Sequence, residues 1–150
     1  MKVSLKATYG IRAALDLALS NGSSPVQSKA IAKRQGIPIR FLEQVLLAMK
    51  RSGLVESLRG SQGGYLLRKP PGTISLADIV EALDGSLTPK PVHATGTLRA
   101  REQSNSDRLL SAVWEQVRQA ECEVLHAVTL KELAERHHQL ERKQALMYHI

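Results

Sequence analysis

Arg40, Glu43 and Gln44 fall on one side of an amphipathic stretch, and together they carry the chemistry to read base-pair edges. Arginine donates two parallel hydrogen bonds to guanine, glutamine pairs in the same two-point way with adenine, and glutamate accepts from the amino group of cytosine. Glu43 differs in sign from its neighbours. Phosphates repel a carboxylate, so at a DNA surface it would act on sequence choice and not on affinity. Further along, Arg59-Gly60-Ser61-Gln62-Gly63-Gly64 sets a guanidinium, a hydroxyl and an amide among glycines. Glycine admits positive φ and lets backbone amides approach a phosphate closely, while Arg59 supplies charge for phosphate or for a narrow minor groove. Tyr9, Ser28 and Lys29, with Ser61 and Gln62, complete the candidate DNA-contacting set. A glycine-rich loop can also cradle a nucleotide, but here no Gly-Lys-Ser/Thr follows and no parallel-sheet pattern surrounds it.

The elements needed to position these groups are written around them. Ser28, expected as an N-cap, opens a short helix to Arg34 that stops at Gly36, where a left-handed cap is needed. Pro38 suits the first turn of a second helix running to about Arg51, with Leu42, Val45, Leu46 and Met49 inward at helical spacing. A ribbon over Leu54–Leu67 pivots on the glycine loop. Helix, turn, helix and wing in this order place one helix in the major groove and a basic wing on the adjacent backbone. An earlier amphipathic helix carries Tyr9, Ala13, Leu17 and Ala18 and ends at Asn21-Gly22-Ser23-Ser24-Pro25. A later short one starts at the capping-box-like Ser75-Leu76-Ala77-Asp78 and ends at Asp84-Gly85.

The expected organisation is a winged helix-turn-helix head over 1–85, with the helix-turn-helix about 28–51 and the wing about 54–67. An irregular loop follows over 86–105, then a long helix over 106–128 and a C-terminal helix or tail over 129–150. In the long helix Leu110, Val117 and Val124 recur every seven residues, as do Val113, Ala120 and Ala127. This is an a/d seam of three heptads, expected to pair with its copy. Thr129-Leu130-Lys131-Glu132 reads as another capping box. His137 and His138 are adjacent, project about 100° apart on a helix, and are not expected to chelate one metal. No metal ligands are expected. The fold class is mainly α with a small β-wing.

Charge separates the same two halves. Residues 1–72 hold twelve Lys or Arg against three acids, and residues 73–150 hold nine against eleven. The head is therefore +9 and the remainder −2, the pattern of a nucleic-acid-binding head with a different kind of tail. A protein adaptor has no need of such a concentration. The few aromatics argue against a stacking platform for single strands. Arg12 and Asp16 interrupt the N-terminal apolar stretch, so a signal peptide is not expected there, and no run matches a membrane span. A cytoplasmic protein is expected. No nucleophile with its base, carboxylate pair or metal set is readable, so enzymatic activity is not expected.

Over residues 1–85 the chain resembles the Rrf2 family of bacterial transcription regulators. The motifs are Lys6-Ala7-Thr8-Tyr9-Gly10, Ile31-Ala32-Lys33-Arg34-Gln35-Gly36-Ile37, Phe41-Leu42-Glu43-Gln44, Gly53-Leu54-Val55, Gly63-Gly64-Tyr65-Leu66-Leu67 and Ile79-Val80-Glu81-Ala82-Leu83-Asp84-Gly85. A looser similarity covers 106–135. The resemblance implies a symmetric homodimer with crossed long helices and two heads on a palindromic operator of double-stranded DNA, with repression as the expected mode. The alternative is a winged-helix interaction module, or a regulator controlled by a protein partner.

Many members carry three cysteines before the long helix that ligate an iron–sulfur cluster. Residues 86–108 contain none, and His93, Glu102 and Asp107 are the ligand-type side chains there. Cluster iron prefers thiolates, so no resident cofactor is expected. The single cysteine, Cys122, lies off the seam between Glu121 and Glu123. It is the candidate cluster or redox residue, with an inert surface thiol as the default reading.

Overall fold

A computed structural model describes residues 3–20, 24–87 and 104–149. Part of the first turn, and most of the loop with His93 and Glu102, lie outside the described residues. Six helices and one hairpin follow the expected order: α1 (Leu5–Leu19), α2 (Ser28–Gln35), α3 (Ile39–Arg51), β1 (Val55–Leu58), β2 (Gly64–Leu67), α4 (Leu76–Asp84), α5 (Asn105–Ala127) and α6 (Leu130–Tyr148).

Helix α1 begins where the Ser4 hydroxyl accepts from the Ala7 amide, and it buries Ala7, Gly10, Ala13, Ala14 and Leu17. A Cβ at Gly10 would stand 2.1 Å from Leu83 Cδ1, so α1 and α4 pack closely here and Leu83 would have to move to admit a side chain. Helix α2 ends at Gly36 with φ +61. Ser28 is not its N-cap: Gln27 takes that place and Ser28 is the first helical residue. The physical reason is a two-residue bridge. Val26 and Tyr65 exchange amide hydrogen bonds of 2.8 Å each, which holds the chain extended up to Gln27. Pro38 likewise precedes α3 as its N-cap. The capping box at α4 forms as expected, with Ser75 and Asp78 bonding reciprocally, and Gly85 closes the helix at φ +93.

Asp16, only 4% exposed, organises the α1–α2 corner. Its carboxylate accepts from Arg34 Nε at 3.0 Å, Arg34 NH2 at 2.6 Å and Gln35 Nε2 at 3.0 Å. The hydrogen bond to Asp16 holds the Arg34 guanidinium further into its charged form, against the opposing effect of burial. Arg34 is half exposed and can be rehydrated, so the pair is worth less than a buried one. Asp16→Ala removes three acceptor contacts at once and is expected to cost about 1–3 kcal/mol of head stability, measured by urea unfolding. A midpoint equal to wild type would show that the brace is dispensable.

Helix α5 starts with a capping box of Ser104 and Asp107. At α6 the box is only half formed. Thr129 accepts from the Glu132 amide, but the Glu132 carboxylate pairs with Arg136 and does not reach back. Between α5 and α6 the chain returns to the head. Leu76 donates to Val128 and Leu130 donates to Ile74, both at 2.9 Å, so the N-caps Ser75 and Thr129 face each other across an antiparallel bridge. Leu130 is completely buried in the core with Ile74, and α6 packs along α1. The expected C-terminal helix thus contributes Leu130, from its first turn, to the head's core. Among the described residues no helix is long and apolar enough to cross a membrane.

Candidate nucleic-acid interface

Helix α3 divides into two faces. Leu42, Val45, Leu46 and Met49 are fully buried and fix its rotation about its own axis. Arg40, Glu43 and Gln44 are consequently exposed on the opposite side. Leu47, 46% exposed, continues that outer face one turn on from Gln44. Sequence reasoning passed over it, although its spacing from Glu43 and Gln44 gives it away. An exposed leucine among base-reading groups has the chemistry to meet a thymine methyl.

The wing is a paired hairpin tied to the head at two points. Its strands pair in the register Val55↔Leu67, Glu56↔Leu66, Ser57↔Tyr65 and Leu58↔Gly64. Lys50, near the end of α3, donates to the Ser57 hydroxyl at 2.5 Å. The Val26–Tyr65 bridge ties β2 to the chain entering α2. Gly64 is required there. Its φ is +151, and a Cβ would fall 2.6 Å from the Val26 carbonyl carbon and oxygen. Arg59, Gly60, Ser61 and Gln62 form an exposed tip. Ser28 and Lys29, at the start of α2, share a shallow cleft with Gly60 and Gly64 at the wing's base. These amides and the Lys29 ammonium sit at a helix N-terminus, where a phosphate is favoured.

Tyr9 stands apart from the other candidates. It is half-buried, and its ring meets Phe41 edge-on at 5.4 Å, with the Arg12 guanidinium 5.9 Å above it. Tyr9 therefore packs behind the first turn of α3. Its contact is with the residue that follows Arg40.

Helix α5 has no fully buried residue. Leu110, Val113, Val117 and Val124 are large apolar side chains at half exposure or near it, and Ala120 and Ala127 are exposed between them. Leu109 and Trp114, which the heptad reading left out, widen the apolar surface. Cys122 does not lie at the open surface as its default reading had it. It is partly buried, with Sγ 3.9 Å from the Leu87 carbonyl oxygen, because the side of α5 away from the seam packs on α4. His137 is partly buried and His138 exposed on α6. Glu141, one turn on, lies between them, and its Oε2 is 3.6 Å from His137 Nδ1 and 3.4 Å from His138 Nδ1.

A helix-turn-helix with a free polar face on its second helix, a braced basic wing and a core shared with the preceding helix defines the DNA-binding transcription regulators. This chain belongs to the Rrf2 family, described as iron-dependent transcriptional regulators, whose pattern it matches over residues 3–136. It is 34% identical over 134 residues to the HTH-type transcriptional regulator CymR of Bacillus subtilis, covering 89% of this chain and 90% of CymR. Identity to the HTH-type transcriptional regulator IscR of Klebsiella pneumoniae is 33% over 133 residues, covering 89% and 79%. The fold matches the solved structure of CymR, the global cysteine regulator of B. subtilis, with a TM-score of 0.77 and 32% identity. That match covers 91% of this chain and 98% of the other.

Proposed function

We propose that this member of the Rrf2 family is a sequence-specific repressor that acts in the cytoplasm as a homodimer on a palindromic operator, without a resident iron–sulfur cluster. The observation that carries the reading is the outer face of α3, where Arg40, Glu43, Gln44 and Leu47 are exposed beside a wing that two separate contacts tie to the head. In this arrangement Arg40, Glu43 and Gln44 meet base edges, and Arg59, Ser61, Gln62 and Lys29 meet the backbone. Two heads related by a two-fold axis read half-sites separated by whole turns of duplex. The exposed seam from Leu110 to Ala127 supplies the pairing surface. A cluster held by three loop thiolates does not suit the chain. Cys122 is its only cysteine, and the thiol is turned toward Leu87 on the head side of α5.

The test is binding to an operator selected from random duplex across a range of salt concentrations. Log affinity should fall linearly with log salt, with a slope of about −0.9 for each phosphate neutralised. Arg59→Ala should weaken all sequences alike and reduce the slope by about one unit. Glu43→Gln should leave the slope unchanged and move preference at one base pair by about 1–3 kcal/mol. A flat salt titration on the selected operator would count against DNA binding, and an unaltered preference would remove Glu43 from the base-reading set.

A further inference from the structure

We propose that His137, His138 and Glu141 form a binding site for one divalent first-row transition ion on α6. One ligand-type atom from each residue lies within 4.8 Å of the other two. The two nitrogen-to-oxygen separations, 3.6 Å and 3.4 Å, are longer than an N–H···O hydrogen bond. They approach the edge of a tetrahedron built on metal–ligand bonds of about 2.0–2.2 Å, which is about 3.3–3.6 Å. The carboxylate and both imidazoles are therefore gathered at ion-pair distance, with no hydrogen bond of ordinary length between them. The ring planes stand 82° apart with centroids 6.1 Å apart, so the two imidazoles are not stacked on each other.

The Nδ1 of His137 adds an independent observation. This one atom is shielded from solvent although the side chain as a whole is 41% exposed, and the Glu141 oxygen at 3.6 Å is too far to hydrogen-bond to it. A buried ring nitrogen ordinarily finds a hydrogen-bond partner, and a metal ion would take its lone pair. The three residues line a cavity whose opposite wall is the α1–α2 corner with Asp16 and Arg34. Asp16 already accepts from Arg34 and Gln35, which leaves the fourth coordination position to water. Two imidazoles and one carboxylate suit Zn²⁺ or Fe²⁺. Mg²⁺ and Ca²⁺ are disfavoured because they take oxygen ligands. The site shares no residue with the candidate DNA-contacting set and needs no thiolate.

The experiment uses the untagged full-length protein after treatment with a chelator. Zn²⁺ is titrated against a chromophoric competitor, and Fe²⁺ is titrated in a separate anaerobic series. One ion per chain is expected in each series, with Zn²⁺ the tighter as the Irving–Williams order requires. His137→Ala, His138→Ala and Glu141→Gln should each weaken binding by about tenfold or more. Cys122→Ser should leave it unchanged. Thermal melting gives a second readout, because an ion bound to the native state raises the wild-type midpoint and should not raise that of the His137→Ala, His138→Ala double variant. Stoichiometric binding that survives in the double variant would overturn the site, as would failure of both ions to bind the wild type at micromolar concentration.

Discussion

Val117→Asp is expected to convert the protein to monomers and to abolish tight operator binding. Val117 is 44% exposed at the middle of a seam that runs from Leu110 through Val113, Ala120 and Val124 to Ala127, so the change does not disturb the head's own core. Pairing would bury those side chains at roughly 25 cal/mol for each Å² of apolar surface removed from water. A carboxylate placed there has no cationic partner on the seam and resists desolvation. A monomer reads one half-site, and its binding should fall by about a thousandfold or more, toward the nonspecific level. Light scattering at micromolar concentration measures the mass directly. A monomeric wild type, or a variant that remains dimeric, would mean that α5 pairs through another face or not at all.

Gly64→Ala is the second large effect. Alanine at φ +151 is strained, and its Cβ would press on the Val26 carbonyl and on the Gln27 amide nitrogen at 2.9 Å. Neither is a flexible side-chain end, so the Val26–Tyr65 bridge must open. Backbone strain and two lost hydrogen bonds together amount to about 3 kcal/mol, concentrated at the wing. DNA affinity should drop by more than Arg59→Ala causes, because the whole tip moves with β2. Helical content should stay at the wild-type level by circular dichroism. Gly60→Ala is the matched control. Its φ is +109, but nothing lies within 4 Å of the new Cβ, so it carries backbone strain without the collision. Equal losses from both variants would show that strain in the loop, and not the bridge, sets the wing's position.

Much of the head was legible because its signals are local. The inward face of α3 repeats within a few turns, Gly36 and Gly85 mark the helix ends they close, and Ser75 and Asp78 cap from three residues apart. The polar side of α3 followed by subtraction. What escaped depends on contacts between distant segments. Asp16 reads as an interruption of an apolar helix until Arg34 and Gln35 arrive from α2. Ser28 has the side chain of a cap, but a hydrogen-bonded bridge to Tyr65 decides where α2 starts. Leu130 looks like one apolar residue in a polar helix until Ile74 anchors its amide. The two histidines diverge at their backbones, yet a ring nitrogen of each lies within 3.6 Å of Glu141 one turn on. Period and capping cannot report such pairings, because each partner lies outside the window in which the pattern repeats.

The facing caps Ser75 and Thr129 make the junction between α5 and the head a fulcrum. Helix α5 has 23 residues, so at 1.5 Å per residue it is a rod of about 34 Å. A tilt of ten degrees about the Leu76–Val128 and Ile74–Leu130 hydrogen bonds would carry its far end through about 6 Å. One base-pair step advances about 3.4 Å, so a distortion of that size at the fulcrum corresponds to nearly two steps of duplex. Any event that bends two backbone hydrogen bonds at this corner is therefore magnified along the rod. In a pair of chains joined through α5, the separation of the two heads would then depend on the geometry of this one corner.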